Sequence, residues 1–337
     1  MKYLVGKKDF QIQVRQKEIP VPGPGQVLVK VYGCGVCGTD LHFLRQCEDW
    51  TAMGHEISGE VVAVGEFVRA ARVGDHVVVE DVGGCGCCPA CQNGRPDLCT
   101  DMQSLDGQSG MGEYLVVPER MLVHCDGLGR MEACFVEPLT VCLHAFQTTA
   151  LPPLGTIAVW GLGPLGLMSI RLARHFGAGR IIAVASHRGT GRNQHREQLA
   201  LEMGADVVMY SGDGDFVQQM AEKFDRIDAA LVTSPPKTLP LALETVSYGG
   251  RVVPIGINLG GESKVTVDVD HMIFNKKAIV PALSEPALQF PRSVELLRKG
   301  VIPTQKLLSH IVPMEETDRI CEIFKTDPTV IKVILTP

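Results

Sequence analysis

The segment TIAVWGLGPLGLMSIRLARHFGAGRIIAVAS, residues 156–186, constrains the fold of this chain more than any other stretch. An apolar run of strand length meets a glycine-rich turn, a helical stretch follows, and a second apolar run closes the unit. Strands joined through a helix run parallel, so the pair belongs to a parallel sheet covered by helices. Inside the turn, GLGPLG places Gly161, Gly163, Pro164, Leu165 and Gly166 between strand and helix. The first glycine makes the turn, the second lets the backbone approach a pyrophosphate, and the third lets the helix pack on the strand. This is the dinucleotide candidate.

Further apolar runs at 206–210, 229–233, 251–257 and 278–282 alternate with helix-like stretches such as GDFVQQMAEKF, the pattern of a doubly wound α/β domain. The first 150 residues differ in texture. QVLVKVYG, SGEVVAVG, DHVVVED and EYLVVPE are short β-type runs between Gly and Pro turns, which predicts an all-β, barrel-like core. From about residue 291 the chain has one amphipathic helix, RSVELLRKG, and a closing strand, VIKVILT, a piece too small to fold alone. The expected layout is therefore residues 1–151, 152–288, and a return of 289–337 to the first domain. A length of 337 residues suits two domains.

A formal charge of -6 without a basic run argues against nucleic acid and anionic membrane as partners. No apolar run approaches the roughly 18 residues of a membrane span, and MKYLVGKKDF lacks the apolar core of a signal peptide. The expectation is a cytoplasmic protein acting on small molecules. Twelve cysteines, several of them clustered, favour metal over disulfide in that setting.

GGCGCCPACQNGRPDLC, residues 83–99, holds five of those cysteines. Cys85, Cys88 and Cys91 are evenly spaced and Cys99 comes from further along, so these four thiolates can surround one Zn(II) tetrahedrally. Cys87 falls outside that spacing. Four sulfur ligands leave no open position, which makes this a structural metal lobe, about residues 83–100, and puts chemistry elsewhere.

Upstream, GCGVCGTDLHF and AMGHEISGE offer Cys37 and His55, a thiolate and an imidazole that leave room for a third protein ligand and an exchangeable position. Glu56 is a candidate third ligand, but neighbouring strand residues point to opposite faces, so it is not expected to share a metal with His55 easily. Glu137, in FVEPLTVCLHA, is better placed in kind, being a carboxylate before a proline at a helix entrance. Cys134 and Cys142 are lesser candidates.

Taken together, GVCGTDLH, GHEISGEVVAVG, the four-cysteine lobe, GLGPLG and VIKVILT resemble a zinc-dependent medium-chain alcohol dehydrogenase over nearly the whole length. The resemblance implies a GroES-like β-barrel catalytic domain and a Rossmann domain with the active cleft between them, and one catalytic and one structural zinc per chain. It makes Cys37 and His55 catalytic-zinc ligands and Cys85, Cys88, Cys91 and Cys99 the structural set. Glu137-Pro138 resembles the EP element of the polyol, glucose and threonine dehydrogenase branch, in some members of which the glutamate reaches zinc through water. It also implies that Thr39 accepts the hydroxyl proton, that His42 passes it to solvent, and that Asp40 fixes the tautomer of His55.

The expected activity is hydride transfer between a secondary alcohol (a polyol, a sugar or a relative) and a nicotinamide cofactor. A zinc-dependent carbonyl reductase working in the other direction is the enzymatic alternative, and a non-catalytic redox sensor using Cys87 or Cys47 is the alternative of another class. Glu48 and Asp49, in RQCEDW, could favour an amine-bearing or polyhydroxylated substrate, though a solvated acidic loop is the simpler reading. An acid about 20 residues beyond the glycine motif marks NAD-binding domains. Here Ser186, His187 and Arg188 stand there, which predicts a preference for NADP over NAD. The family also implies a homodimer or homotetramer, with the run 277–283 as its expected contact.

Overall fold

The computed structural model describes residues 1–189, 191–259, 263–285 and 288–337. It comprises two units, one of residues 1–140 and 284–337, the other of residues 141–283. The texture change at 151–155 predicts the first break about three helical turns later than the structure has it. The reason lies in helix Val136–Thr148, which runs across that point. Its later turns are tied into the second unit, where the Cys142 thiol donates to the Leu165 carbonyl and Arg251 donates to that of Thr148.

In the first unit the strands pair in the order Leu122–His124, His76–Val79, Glu56–Val64, Gln26–Gly35, Lys332–Thr336, Leu308–Pro313. Gln26–Gly35 is the hub. It pairs with Glu56–Val64 along one edge, and on the other edge its first half pairs with Tyr114–Pro118 and its last residues pair with Lys332–Thr336. Val27, Val29 and Val31 are buried in the core with Leu115, Val117 and Val333. Each such aliphatic side chain taken from water contributes roughly 1.5–3 kcal/mol. The return of the C-terminal segment to this unit is thus a strand inserted beside the hub, and not merely a peripheral helix.

Register brings four strand ends together. Gly35 lies opposite Glu56 on one side and Ile334 on the other, and Ile57 lies opposite Val79. The residues just beyond these pairs, Cys37, His55, Asp81 and Lys332, are consequently delivered to the same end of the sheet.

The second unit is a six-stranded sheet in the order Val207–Tyr210, Arg180–Ala185, Thr156–Trp160, Ala229–Val232, Arg251–Pro254, Ala278–Ile279, with every pair parallel. This is the doubly wound order, with the reversal beside Thr156–Trp160. That strand is buried on both faces, as its unbroken apolar sequence requires. Gly161 follows it with φ +92°, a backbone that L side chains rarely adopt. A Cβ at Gly166 would lie 1.8 Å from the Gly161 carbonyl oxygen, so helix Pro164–His175 approaches the turn only because residue 166 is glycine. Among the described residues no helix is long and apolar enough to cross a membrane.

Candidate functional site

Cys37 caps helix Gly38–Gln46, and the buried Asp40 carboxylate accepts from its backbone N–H at 2.8 Å. The other Asp40 oxygen accepts from the Gly54 N–H at 2.9 Å. Asp40 therefore clamps the Cys37 segment to the His55 segment through main chain. Its hydrogen bonds do not go to the His55 ring, which corrects the tautomer-fixing contact expected from the resemblance. Both lone-pair sets already serve backbone donors that a helix start and a positive-φ turn leave without other partners.

Ligand atoms of Cys37, His55 and Glu56 all lie within 4.8 Å of one another. This overturns the expectation that Glu56 cannot easily share a metal with His55. The strand begins at Glu56, and His55 belongs to the preceding segment, after Gly54 with φ +87°, so strand alternation does not apply across the pair. Burial opposes a charge on His55, but its hydrogen bond to Cys37 and the negative charges of Cys37, Asp40 and Glu137 outweigh that and hold the imidazole well above its ordinary value. A thiolate, an imidazole and a carboxylate converging in this way suit Zn(II), with room for an exchangeable ligand.

Glu56 also forms an ion pair with Lys332, both side chains being almost wholly buried. The Lys332 ammonium donates to the Val36 carbonyl at 3.1 Å. A Cβ on Gly35 would lie 1.9 Å from Glu56 Oε2, so any side chain there would displace the Glu56 carboxylate from this pair.

Glu137 stands in the first turn of helix Val136–Thr148 and is 6% exposed. Its carboxylate groups with those of Asp81 and Glu285, again within 4.8 Å of one another. Burial, reinforced by Glu56, Asp81 and Cys37, pushes Glu137 well above the usual carboxylate range, against the pull of His55. Burial and Asp81 push Glu285 to about 7. Asp81 and Glu285 escaped sequence reasoning because each ends an ordinary β-type run, DHVVVED and AIVPALSE, without a motif around it. Cys134 and Cys142 are buried elsewhere: Cys134 donates to the Arg130 carbonyl and Cys142 to that of Leu165.

Thr39 lies on the same helix, its hydroxyl 3.7 Å from the Cys37 sulfur. His42 is one turn further, with a buried Nδ1 that has no partner among the described residues. Burial and then Arg45 lower its pKa from the ordinary value. Glu48 pairs with Lys8 and is 72% exposed, so the acidic loop that also holds Asp49 is a solvated one.

In the cysteine lobe, sulfur atoms of Cys85, Cys88, Cys91 and Cys99 lie within 4.8 Å of one another. Backbone N–H groups of Cys87 and Cys88 point at Cys85 sulfur, and those of Cys85 and Asp101 at Cys99 sulfur. The N–H groups of Cys87 and Cys88 lower the Cys85 thiol, those of Cys91 and Thr100 lower Cys88 to about 6, and burial pushes Cys91 up to about 12. Cys87 is exposed, with its sulfur 3.5 Å from that of Cys85.

In the second unit Gly163 caps helix Pro164–His175, with Pro164 and Leu165 in its first turn. A Cβ on Gly163 would meet nothing within 4 Å, leaving the helix N-terminus open to a phosphate. Ser186, His187 and Arg188 follow strand Arg180–Ala185. The Ser186 carbonyl accepts from Gly212, and the His187 ring packs on Gly212. Arg188 lies over the Tyr210 ring at 4.6 Å and 3.6 Å from Asp213, beside a cavity of about 550 Å³. Thr190 lies outside the described residues.

Residues 23–127 match the alcohol dehydrogenase GroES-like domain, and residues 164–299 match the zinc-binding dehydrogenase domain. The chain is 32% identical to a sorbitol dehydrogenase of Bacillus subtilis over 331 residues, 94% of this chain and 91% of the relative. An alcohol dehydrogenase from Escherichia coli CFT073, solved with NADH, superposes with a TM-score of 0.88 at 29% identity, covering 100% of this chain and 99% of that one. A zinc-binding dehydrogenase from Sinorhizobium meliloti 1021, solved with NADP, gives 0.87 at 29% identity with the same coverage. With the thiolate, imidazole and carboxylate donors in one unit and the glycine turn of a doubly wound sheet in the other, this chain belongs to the zinc-dependent medium-chain alcohol dehydrogenase family, oxidoreductases that move hydride between an alcohol and a nicotinamide cofactor.

Proposed function

We propose that the protein oxidises a secondary alcohol of the polyol class, with NADP(H) preferred over NAD(H), using a catalytic zinc held by Cys37, His55 and Glu56 and a structural zinc held by Cys85, Cys88, Cys91 and Cys99. The observation that carries this reading is the convergence of Cys37, His55 and Glu56 beside the buried Glu137. Zinc in that set supplies Lewis acidity toward a hydroxyl oxygen, and a nicotinamide supplies the hydride acceptor. Everything else falls to the chain. Asp40 holds the two ligand segments at fixed separation through its two backbone bonds. Thr39 takes the hydroxyl proton, and His42, one helical turn away, accepts it at a ring nitrogen and releases it to water. Lys332 forms a buried ion pair with Glu56 and so offsets its charge in the interior. Glu137 lies close enough to His55, Glu56 and Cys37 to feel their charges.

Ser186 and Arg188 support the cofactor preference by offering a hydroxyl and a guanidinium where an NAD-binding domain carries an acid. Oligomerisation through the Ala278–Ile279 sheet edge is supported by Ile273, Phe274 and Leu283 nearby, which are 66%, 78% and 72% exposed. The reducing cytoplasm suits a chain whose cysteines are free thiols. The test is a zinc count on the fully loaded protein together with cofactor reduction across a panel of polyols. Two zinc ions per chain and polyol-dependent NADPH formation are expected; one zinc ion, or no reduction with any secondary alcohol, would end the reading.

A further inference from the structure

We infer that Cys87 is a redox-modification site: on meeting a small disulfide such as oxidised glutathione, its sulfur becomes joined to that of Cys85, and the metal lobe loses a ligand. The inference rests on the structural-zinc reading of Cys85, Cys88, Cys91 and Cys99 above and goes beyond it.

Of the five cysteines in the loop, Cys87 alone stands outside the converging four, and it alone is exposed. Cys85 and Cys99 are each only 8% exposed. The backbone nevertheless folds Cys87 back onto the set. Gly86, between Cys85 and Cys87, has φ +76°, a conformation that L side chains rarely adopt, and a Cβ there would meet nothing within 4 Å, so the glycine serves the turn and not the packing. The turn leaves the Cys87 sulfur 3.5 Å from that of Cys85, closer than the 3.8 Å between Cys88 and Cys99 or the 3.9 Å between Cys85 and Cys91. A solute can therefore reach Cys87, and whatever forms on its sulfur lies within reach of a second sulfur nucleophile.

Exposure sets the order of events, because a bulky disulfide meets Cys87 before it meets the buried Cys85. Cys87, as thiolate, attacks one sulfur of the small disulfide; that S–S bond breaks, one small thiol leaves with the proton that Cys87 gave up, and a mixed disulfide remains. Cys85, as thiolate, then attacks the Cys87 sulfur, the second small thiolate departs and takes a proton from water, and the Cys85–Cys87 bond closes. Each protein sulfur is oxidised by one electron, and the small disulfide is reduced to two thiols. Cys88, Cys91 and Cys99 remain as ligands where a closed tetrahedral site needs four, so zinc is held more weakly and the lobe loosens. A disulfide across a single residue on an exposed turn is open to an external dithiol, which makes the modification reversible.

The test treats the zinc-loaded enzyme, reduced and then freed of reductant, with glutathione disulfide. Released zinc is followed with a metal-indicator dye, and after denaturation the remaining thiols are alkylated and mapped by peptide mass. The parent should release about one zinc ion per chain more than Cys87→Ser, with Cys85 and Cys87 joined and unalkylated, and dithiothreitol with added zinc should restore the lobe. Cys47→Ser, which removes a partly exposed thiol outside the lobe, should behave as the parent does. Equal release from the parent and Cys87→Ser would overturn the inference, as would a Cys87 that stays free or stops at the mixed disulfide with zinc retained; either result leaves the structural-zinc reading standing. If the zinc count of the reduced protein does not fall in Cys88→Ser, the lobe holds no metal and both fail.

Discussion

Lys332 and Glu56 form an ion pair in which only 2% and 1% of the two side chains are exposed. Lys332 begins the C-terminal strand, so the last strand of the chain supplies the ion-pair partner of a proposed zinc ligand far earlier in the sequence. Removing one partner of such a pair costs about 3–5 kcal/mol, because the other is left buried and unpaired. Lys332→Met is therefore expected to lower the denaturation midpoint sharply. Lys332→Met combined with Glu56→Gln should recover much of that stability while failing to retain catalytic zinc, as read by urea unfolding and metal analysis. Equal stability losses in the single and double variants would show that the pair is not the cause.

The cysteine lobe gives a sharper contrast within one loop. Cys88→Ser removes one of four converging sulfurs and should release the structural zinc and unfold the lobe. Cys87→Ser removes an exposed sulfur outside the set and should leave zinc content and melting temperature nearly unchanged. Mild chelation should first remove the metal from Cys37, His55 and Glu56, whose set keeps an exchangeable position. Identical behaviour of the two serine variants would mean that the wrong four sulfurs have been assigned.

Much of this was legible in the sequence, and the exceptions have definite causes. The parallel sheet was readable because a strand buried on both faces is a continuous apolar run, and Thr156–Trp160 and Ala229–Val232 are such runs. The hairpin of Lys2–Lys7 with Gln11–Gln16 was not, since its turn places Asp9 and Phe10 at φ +62° and +56° in place of the usual glycine. Strand alternation argues against Glu56 only if His55 lies in the same strand, and that strand begins at Glu56. Asp81 and Glu285 join Glu137 only through tertiary register, which no local spacing encodes.

The proton path predicts a pH effect with a definite sign. His42 must be neutral to accept a proton, and burial followed by Arg45 keeps its pKa below the ordinary value of 6.5. The acid limb of kcat/KM should therefore fall below pH 6.5. Replacing Arg45 with methionine removes a positive neighbour, raises the His42 pKa and should move that limb to higher pH. His42→Gln should lower kcat by roughly tenfold to a hundredfold, a loss that small amine or imidazole buffers partly restore. An acid limb that stays in place in Arg45→Met would remove His42 from the path.

Cofactor choice is the remaining question, and the relatives do not decide it: of two solved structures, each 29% identical, one holds NADH and the other NADP. The local chemistry favours the phosphate. The Arg188 side chain is 74% exposed, and its pairing with Asp213 at 3.6 Å is an exposed ion pair, a kind worth about 0–1 kcal/mol. A 2'-phosphate brings about two negative charges and accepts two guanidinium bonds at once, so it should draw Arg188 away from Asp213. Tyr210, under the guanidinium, keeps the side chain at this edge of the sheet rather than free in solvent. The ratio of kcat/KM for NADP+ over NAD+ should thus exceed one in the parent, fall by about tenfold in Arg188→Ala, and rise in Asp213→Asn, where the competing acid is gone. Added salt should compress the ratio, since the contact is exposed. A parent that prefers NAD+ at low ionic strength would defeat the assignment, and a ratio unchanged in Arg188→Ala would move phosphate recognition to another side chain.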